Sequence, residues 1–313
     1  MICATEKIPE TCASLDGVLV VNKEAGWTSH DVVAKVRGLL GGVKVGHAGT
    51  LDPAATGVLP LLVGRATRVA EYVVGWDKDY RAVLRLGETT DTQDATGTVL
   101  ERHDVSRVTE EQLRDTVARF RGPQNQIPPM YSAVKIDGRP LYRIARAGGT
   151  VRREARPIVI HSVEILAIDG RDVTLDIVCS KGTYIRTLCA DIGQALGVGG
   201  HLLGLERRRV GALTIDQALT VDQILAVRTI NSLRDRMLTL DQLLERLPVV
   251  TVTREQAGRV MHGAPIESVE LGRTMELTTV RLKDELGRLL AIGICEARAG
   301  GGIKVRKVLA NSA

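Results

Sequence analysis

The sequence predicts a mixed α/β (α+β) fold followed by a small β-rich module. Three stretches carry that prediction. Gly17-Val-Leu-Val-Val-Asn22 is an apolar run of strand length, and a turn at Gly26 leads from it into a helical pattern. Tyr80-Arg-Ala-Val-Leu-Arg-Leu86 alternates with period two, placing Tyr80, Ala82, Leu84 and Leu86 on one face and Arg81, Val83 and Arg85 on the other. Beyond Pro248, short β-like runs at 249–253, 278–282 and 289–294 are separated by glycines.

The elements follow in chain order. After the first strand, Thr28 or Ser29 caps a helix, and Asp31 favours its positive end. Val32, Val33, Val36, Leu39 and Leu40 recur at helical spacing until Gly41-Gly42 stops them. A glycine-rich segment spans 46–57, an apolar strand 58–63 and a helix 66–74. The alternating strand at 80–86 precedes a turn-rich stretch at 91–97 and a helix at 109–120 capped by Thr109. Residues 124–153 are polar and basic, interrupted by Pro128-Pro129 and Gly148-Gly149, and read as an excursion with its own short helix. Strands are expected at 159–166 and 173–179, the second continuing in extended form through 182–186. Helices are expected at 187–196, 221–227 and 232–246. The expected organisation is a loose tail at 1–14, a main domain at 15–247 with a basic insertion at about 122–156, and a module at 248–313.

Composition narrows the function. The chain has 313 residues, 44% hydrophobic and 25% charged, within the globular range. No apolar run reaches the roughly 18 residues that cross a bilayer. The five cysteines are scattered without a CxxC pair, which argues for a reducing cytoplasm over a disulfide framework. Nine basic residues between Arg119 and Arg156 face only Asp137 and Glu154, a net charge of +7 in one stretch. Within it, Lys135, Arg139, Arg143, Arg146, Arg152 and Arg153 are candidates to neutralise RNA phosphates. A P-loop is excluded because no Gly-Lys-Ser or Gly-Lys-Thr occurs. Gly197-Val-Gly-Gly-His-Leu202 has leucine where a dinucleotide fingerprint needs its third glycine. The six histidines never pair at metal-ligand spacing, and no G-x-S-x-G elbow is present.

Two segments stand out chemically. In Gly46-His-Ala-Gly-Thr-Leu-Asp-Pro-Ala-Ala-Thr-Gly57, the three glycines permit unusual backbone, and Pro53 biases Asp52 away from the helical region. A carboxylate is thereby held among small residues, either as part of a structural turn or for a closely approaching ligand. In Ser180-Lys-Gly-Thr-Tyr-Ile-Arg-Thr187, an extended backbone would set Gly182, Tyr184 and Arg186 on one side. Arg186 is then either an edge-strand arginine or a partner that fixes a carboxylate.

These segments, in this order, resemble the TruB family of tRNA pseudouridine synthases. The likeness runs through Val21-Asn-Lys-Glu-Ala-Gly-Trp-Thr-Ser-His30, residues 46–57, Lys78-Asp-Tyr-Arg81, Gly87-Glu-Thr-Thr-Asp-Thr-Gln-Asp94, Gln126-Ile-Pro-Pro-Met-Tyr-Ser-Ala133 and residues 180–187. One departure is Lys23-Glu24, where the family usually has Lys-Pro. The resemblance implies the pseudouridine synthase fold, with a mixed, largely antiparallel sheet crossed by the active-site cleft, and a PUA-like RNA-binding domain at the C-terminus. It implies isomerisation of uridine 55 in the T loop of tRNA, without metal or cofactor, by a monomer with no obligate protein partner and no membrane association. Asp52 is then the catalytic carboxylate, Tyr80 packs on the target base, and Arg186 pairs with Asp52. His47, Tyr184 and Leu205 line the nucleotide pocket.

Overall fold

The computed structural model describes residues 15–227, 229–267, 277–296 and 302–310; the expected tail at 1–14 lies outside them. The chain begins with β1 (Gly17–Lys23), α1 (Ser29–Leu39), β2 (Val45–His47) and β3 (Thr56–Val63). A 3₁₀ turn (Gly64–Val69) runs into α2 (Ala70–Val74), then β4 (Lys78–Leu86), β5 (Glu88–Thr90), β6 (Val99–Arg102) and α3 (Glu110–Ala118). Next come β7 (Gly122–Gln126), β8 (Lys135–Ile136), β9 (Arg139–Pro140), α4 (Leu141–Arg146), β10 (Arg156–Asp169) and β11 (Asp172–Cys179). The large domain ends with α5 (Ile185–Ala195), β12 (Gly200–Val210), β13 (Leu213–Thr214), β14 (Leu219–Thr220), α6 (Val221–Leu225), α7 (Ile230–Arg234) and α8 (Leu240–Leu243). The C-terminal module comprises β15 (Val249–Thr251), α9 (Arg254–Met261), β16 (Ile266–Glu267), β17 (Thr279–Lys283), β18 (Leu289–Cys295) and β19 (Gly302–Val308).

Ten strands form one sheet, in the order β14-β1-β3-β12-β4-β11-β10-β7, with β2 beside β3 and β13 beside β12. Only β1–β14 and β3–β12 pair in parallel within it, so the sheet is mixed and largely antiparallel. The module has its own sheet, ordered β15-β17-β18-β19-β16.

The two halves of the large sheet differ in how they are covered, and the sequence pattern explains why. In β1, Leu19 and Val21 pack with Val32 and Val36 of α1, while Val18 and Val20 pack on the opposite face with Val69 and Val73. A strand buried on both faces reads as a continuous apolar run. Each such side chain contributes about 1.5–3 kcal/mol by leaving water. In β4, Tyr80, Ala82, Leu84 and Leu86 face Ile185, Leu188 and Ile192 of α5, and Leu113 and Val117 of α3. Its other face is open to solvent and charged, so it alternates. There, Arg85 pairs with Asp172 at 2.6 Å and Arg209 with Asp79 at 2.6 Å.

The structure corrects several boundaries. The extended run expected through 182–186 ends at Cys179, because Gly182 turns the chain at a φ of +83° and α5 starts at Ile185. The helix expected at 232–246 is two short helices. Between them, Leu238 exchanges backbone hydrogen bonds with Val18 (2.8 and 2.9 Å) and covers the start of β1 on the edge whose far end pairs with β14. The insertion is shorter than 122–156: Gln126 pairs with Arg156 at the sheet edge, so the excursion proper is 127–155. Gly46 lies in β2 without a positive φ, unlike Gly49 and Gly57. Strand β12 and helix α9 carry no expectation above. A central strand is hidden in β12 because it holds Glu206-Arg-Arg-Arg209, a run that reads as exposed.

Strand β12 meets β3 where Arg207 lies beside Gly57, whose φ is +101°. A Cβ there would stand 2.2 Å from the Arg207 carbonyl oxygen. Gly57→Ala is expected to cost on the order of 4 kcal/mol, which thermal denaturation would register as a fall of about 10 °C. Gly138→Ala is the control. It has a positive φ of +77° but open space around it, so about 1 kcal/mol is expected.

Candidate active site

Asp52 and Arg186 form an ion pair, the Arg186 Nε lying 2.9 Å from Asp52 Oδ2. Arg186 stands in the first turn of α5, which has no acidic residue there. A cation at the positive end of a helix is poorly placed on its own. Acceptors from three segments compensate: besides Asp52, Arg186 donates to the Thr92 carbonyl at 3.2 Å and the Tyr131 carbonyl at 2.7 Å, and lies 3.6 Å from Asp94 Oδ2. The Arg186 side chain is only 6% exposed, whereas 44% of the Asp52 side chain remains open to the cleft. Burial pushes the Asp52 pKa above the ordinary aspartate value; Arg186 and Lys23 pull it down and Asp94 pushes it up. The guanidinium therefore opposes a desolvation that has the larger effect. Arg186 by itself favours the carboxylate, but the sum of influences does not.

Two buried cations hold the loop that carries Asp52. Lys23, at the end of β1, donates to the carbonyls of Glu24 (2.9 Å), Trp27 (2.9 Å) and Pro53 (3.2 Å). It rigidifies the turn after Lys23-Glu24 without a proline. Burial lowers its pKa to about 8, with Asp52 opposing and Arg207 adding to the shift. Arg207, 1% exposed on β12, donates to the carbonyls of Val58 (2.7 Å), Gly49 (3.0 Å) and Thr50 (3.3 Å). Its fork spans both ends of the Asp52 loop. Ser29 fastens the middle: its hydroxyl donates to Leu51 O at 3.0 Å and accepts from Leu51 N at 2.9 Å.

Tyr80 lies opposite Arg207 in the β4–β12 register and is 8% exposed. Burial raises its phenol pKa, and the neighbouring Arg207 partly offsets this. Leu205 sits two residues before Arg207 and opposite Ala82, in contact with the clusters on both halves of the sheet. His47, on β2, lies edge-on to His30 with ring centroids 5.4 Å apart. Its buried Nδ1 has no hydrogen-bond partner among the described residues, and burial, His30 and Arg207 lower its pKa. Tyr184 is the N-cap of α5, and its backbone is held by buried Gln126, which donates to Tyr184 O at 3.0 Å and accepts from Tyr184 N at 2.8 Å.

The structure thus joins Asp52 to Arg186 and sets Tyr80 and His47 within electrostatic reach of Arg207, whose fork holds the Asp52 loop; Leu205 precedes Arg207 by two residues on β12, and Tyr184 precedes Arg186 by two at the start of α5. The basic candidates behave differently. Lys135, Arg139, Arg143, Arg146 and Arg152 are exposed on the excursion, with Arg146 lying 5.7 Å from the ring centre of Tyr142. Arg153 instead donates to Pro128 O at 3.0 Å and clasps the base of the excursion. Sequence reasoning passed over Arg207, Gln126 and Ser29. Their signal is a polar side chain inside a strand or at a helix start with no reason to be exposed.

A family model described as TruB family pseudouridylate synthase, N-terminal domain, matches residues 37–185, and one described as tRNA pseudouridylate synthase B C-terminal domain matches 186–248. The chain is 41% identical over 298 residues to tRNA pseudouridine synthase B of Stutzerimonas stutzeri, covering 94% of this chain and 96% of that one. It is 48% identical over 252 residues to the protein of that name from Ralstonia pickettii, covering 79% and 78%. Among solved structures, a Cbf5-Nop10-Gar1 complex contains a chain that superposes with a TM-score of 0.74 at 28% identity, covering 94% of this chain and 85% of that one.

Replacing Arg207 with methionine removes three charge-assisted hydrogen bonds from the Asp52 loop. A loss of about 3 kcal/mol is expected, since each unmet partner costs on the order of 1 kcal/mol. Amide exchange should accelerate first within residues 49–58, and Arg207→Lys, lacking the fork, should recover only part of the protection. Uniform acceleration across the sheet would contradict the assignment.

Proposed function

The chain belongs to the TruB family of pseudouridylate synthases, and on that premise we propose that it converts uridine 55 in the T loop of tRNA to pseudouridine. The observation that carries the reading is a carboxylate, Asp52, held 2.9 Å from a nearly buried guanidinium beside a buried tyrosine. The reaction cleaves the C1′–N1 bond of the uridine and joins C1′ to C5; the C5 hydrogen leaves as a proton and N1 gains one, so composition is unchanged. It needs the base out of its stack, at a cost of a few kcal/mol. Contact with the Tyr80 ring offsets that cost, stacking on an aromatic being worth about 1–3 kcal/mol per base. Leu205, His47 and Tyr184 complete the pocket in this reading. Asp52 acts as the ionised carboxylate, as nucleophile or as stabiliser of positive charge at C1′. Arg186 holds it in place.

The exposed cations of the excursion bind the phosphates of the T stem-loop, with Arg153 fixing the excursion's base. Residues 248–313 serve as a PUA-like RNA-binding domain on the synthase domain at 15–247. The protein works in the cytoplasm as a monomer, without metal, cofactor or obligate protein partner.

The test uses unmodified tRNA tritiated at uracil C5, with EDTA present. Wild type is expected to release tritium. Asp52→Asn is expected to lose on the order of 10⁴-fold or more, and tRNA with cytidine at position 55 should release none. Binding of the tRNA that carries uridine 55 by folded wild type, with no release from any uridine, would overturn the reading.

The pH dependence has a sign. Because the working form is the carboxylate and its pKa is raised, activity should fall on acidification starting above the ordinary aspartate range. Asp94→Asn removes an influence that raises that pKa, so the acid limb should move to lower pH. Arg186→Gln removes one that lowers it, so the limb of the residual activity should move to higher pH.

A further inference from the structure

Gln93 is one of three non-glycine residues with positive φ among the described residues, at +64°. That conformation costs a residue with a Cβ about 1 kcal/mol or more. It persists here because the residue is tied down twice. Its backbone carbonyl accepts from Leu202 N at 3.0 Å, and its side-chain Oε1 accepts from the Thr187 hydroxyl at 2.8 Å. Thr187 is buried and follows Arg186 directly on α5. On the other side of Gln93 stand two of the acceptors that hold Arg186, the Thr92 carbonyl and the Asp94 carboxylate.

Elsewhere the loop is bonded to itself and, through Ala95 N, which donates to Leu202 O at 2.9 Å, to β12. Thr90 Oγ1 donates to Asp94 O at 2.8 Å, and Asp94 Oδ1 accepts from the Thr92 hydroxyl (2.7 Å), Thr96 N (3.0 Å) and the Thr96 hydroxyl (2.5 Å). These bonds fix the loop's shape but do not fix it to α5. Apart from the contacts of Arg186 itself, the Gln93–Thr187 bond does that, one residue from the guanidinium. Resting on the reading of Asp52 and Arg186 as the reacting pair, we infer that Gln93 and Thr187 are positioning residues: a clasp between the 90–96 loop and α5 that sets Arg186 against Asp52. Neither touches the reacting atoms. The left-handed turn at Gln93 aims the Thr92 carbonyl and the Asp94 carboxylate, and the hydroxyl of Thr187 keeps that turn in register with the helix.

The experiment uses the full-length chain with Gln93→Ala, Thr187→Val, the pair together, and Thr187→Ser. Single-turnover tritium release, tRNA affinity and the acid limb of the rate are measured, with melting temperature as the folding control. Each of the first two variants is expected to lose about tenfold in rate with affinity unchanged. The double variant should be no slower than the worse single, since both cut one bond. The acid limb should move to higher pH as the guanidinium loosens from Asp52. Thr187→Ser, which keeps the hydroxyl, should restore both rate and limb. Fully multiplying losses, or a serine variant as slow as the valine one, would overturn the clasp. Hydrogen exchange at Arg186 Nε, followed by NMR in the free protein, reads the clasp without turnover. Faster exchange in Thr187→Val supports it, and unchanged exchange overturns it, even if wild type proves inactive on tRNA.

Discussion

A guanidinium at the start of a helix must be held from in front, because the helix behind it repels it. Arg186 is in that position, and the cleft is arranged around satisfying it. The Asp52 loop supplies a carboxylate, the 90–96 loop a carbonyl and a second carboxylate, and the start of the excursion the Tyr131 carbonyl. Three segments distant in sequence are brought together by one cation. The carboxylate with the most solvent on it, Asp52, is the one available to a ligand.

Arg207 is the counterpart of Arg186 and differs from it in kind. Its guanidinium donates to the carbonyls of Val58, Thr50 and Gly49, so it acts as a structural fork on the Asp52 loop. Its charge adds to the burial that lowers the His47 pKa and partly offsets the burial that raises that of Tyr80. Charge that would be costly in a closed core is tolerated because oriented backbone dipoles surround it.

How much of this was legible in the sequence follows from what each residue answers to. Asp52 and Arg186 stood out because short motifs with glycines and a proline mark them, although those motifs alone left a structural turn and an edge-strand arginine open; their pairing and the place of Tyr80 came from the family resemblance, and the alternation of β4 showed its one solvated face. The central strand β12 was not, since Arg207, Arg208 and Arg209 make a core strand look like a surface. Arg207 is satisfied by carbonyls 149 to 158 residues away, which no local pattern encodes. The break at Leu238 was illegible for the same reason: it serves the edge of β1, far back in the chain. Gly182 carried the opposite lesson. The glycine was visible, but the period-two pattern was extended through it, and only the positive φ shows that it ends the strand.

The change in composition near Pro248 looks like a boundary, yet the interior runs across it. Ile292 and Leu309 of the module pack in the same cluster as Val18, Val58 and Val73 of the large domain. Arg281 reaches back to the carbonyls of Asp241, Glu245 and Leu247, and Arg65 and Arg68 grip the carbonyls of Leu309 and Val308. A chain severed at that point would not yield two tidy halves. The larger piece would be left with an uncovered apolar wall, and an ancestor could have gained or lost the module only by rebuilding that wall at the same time.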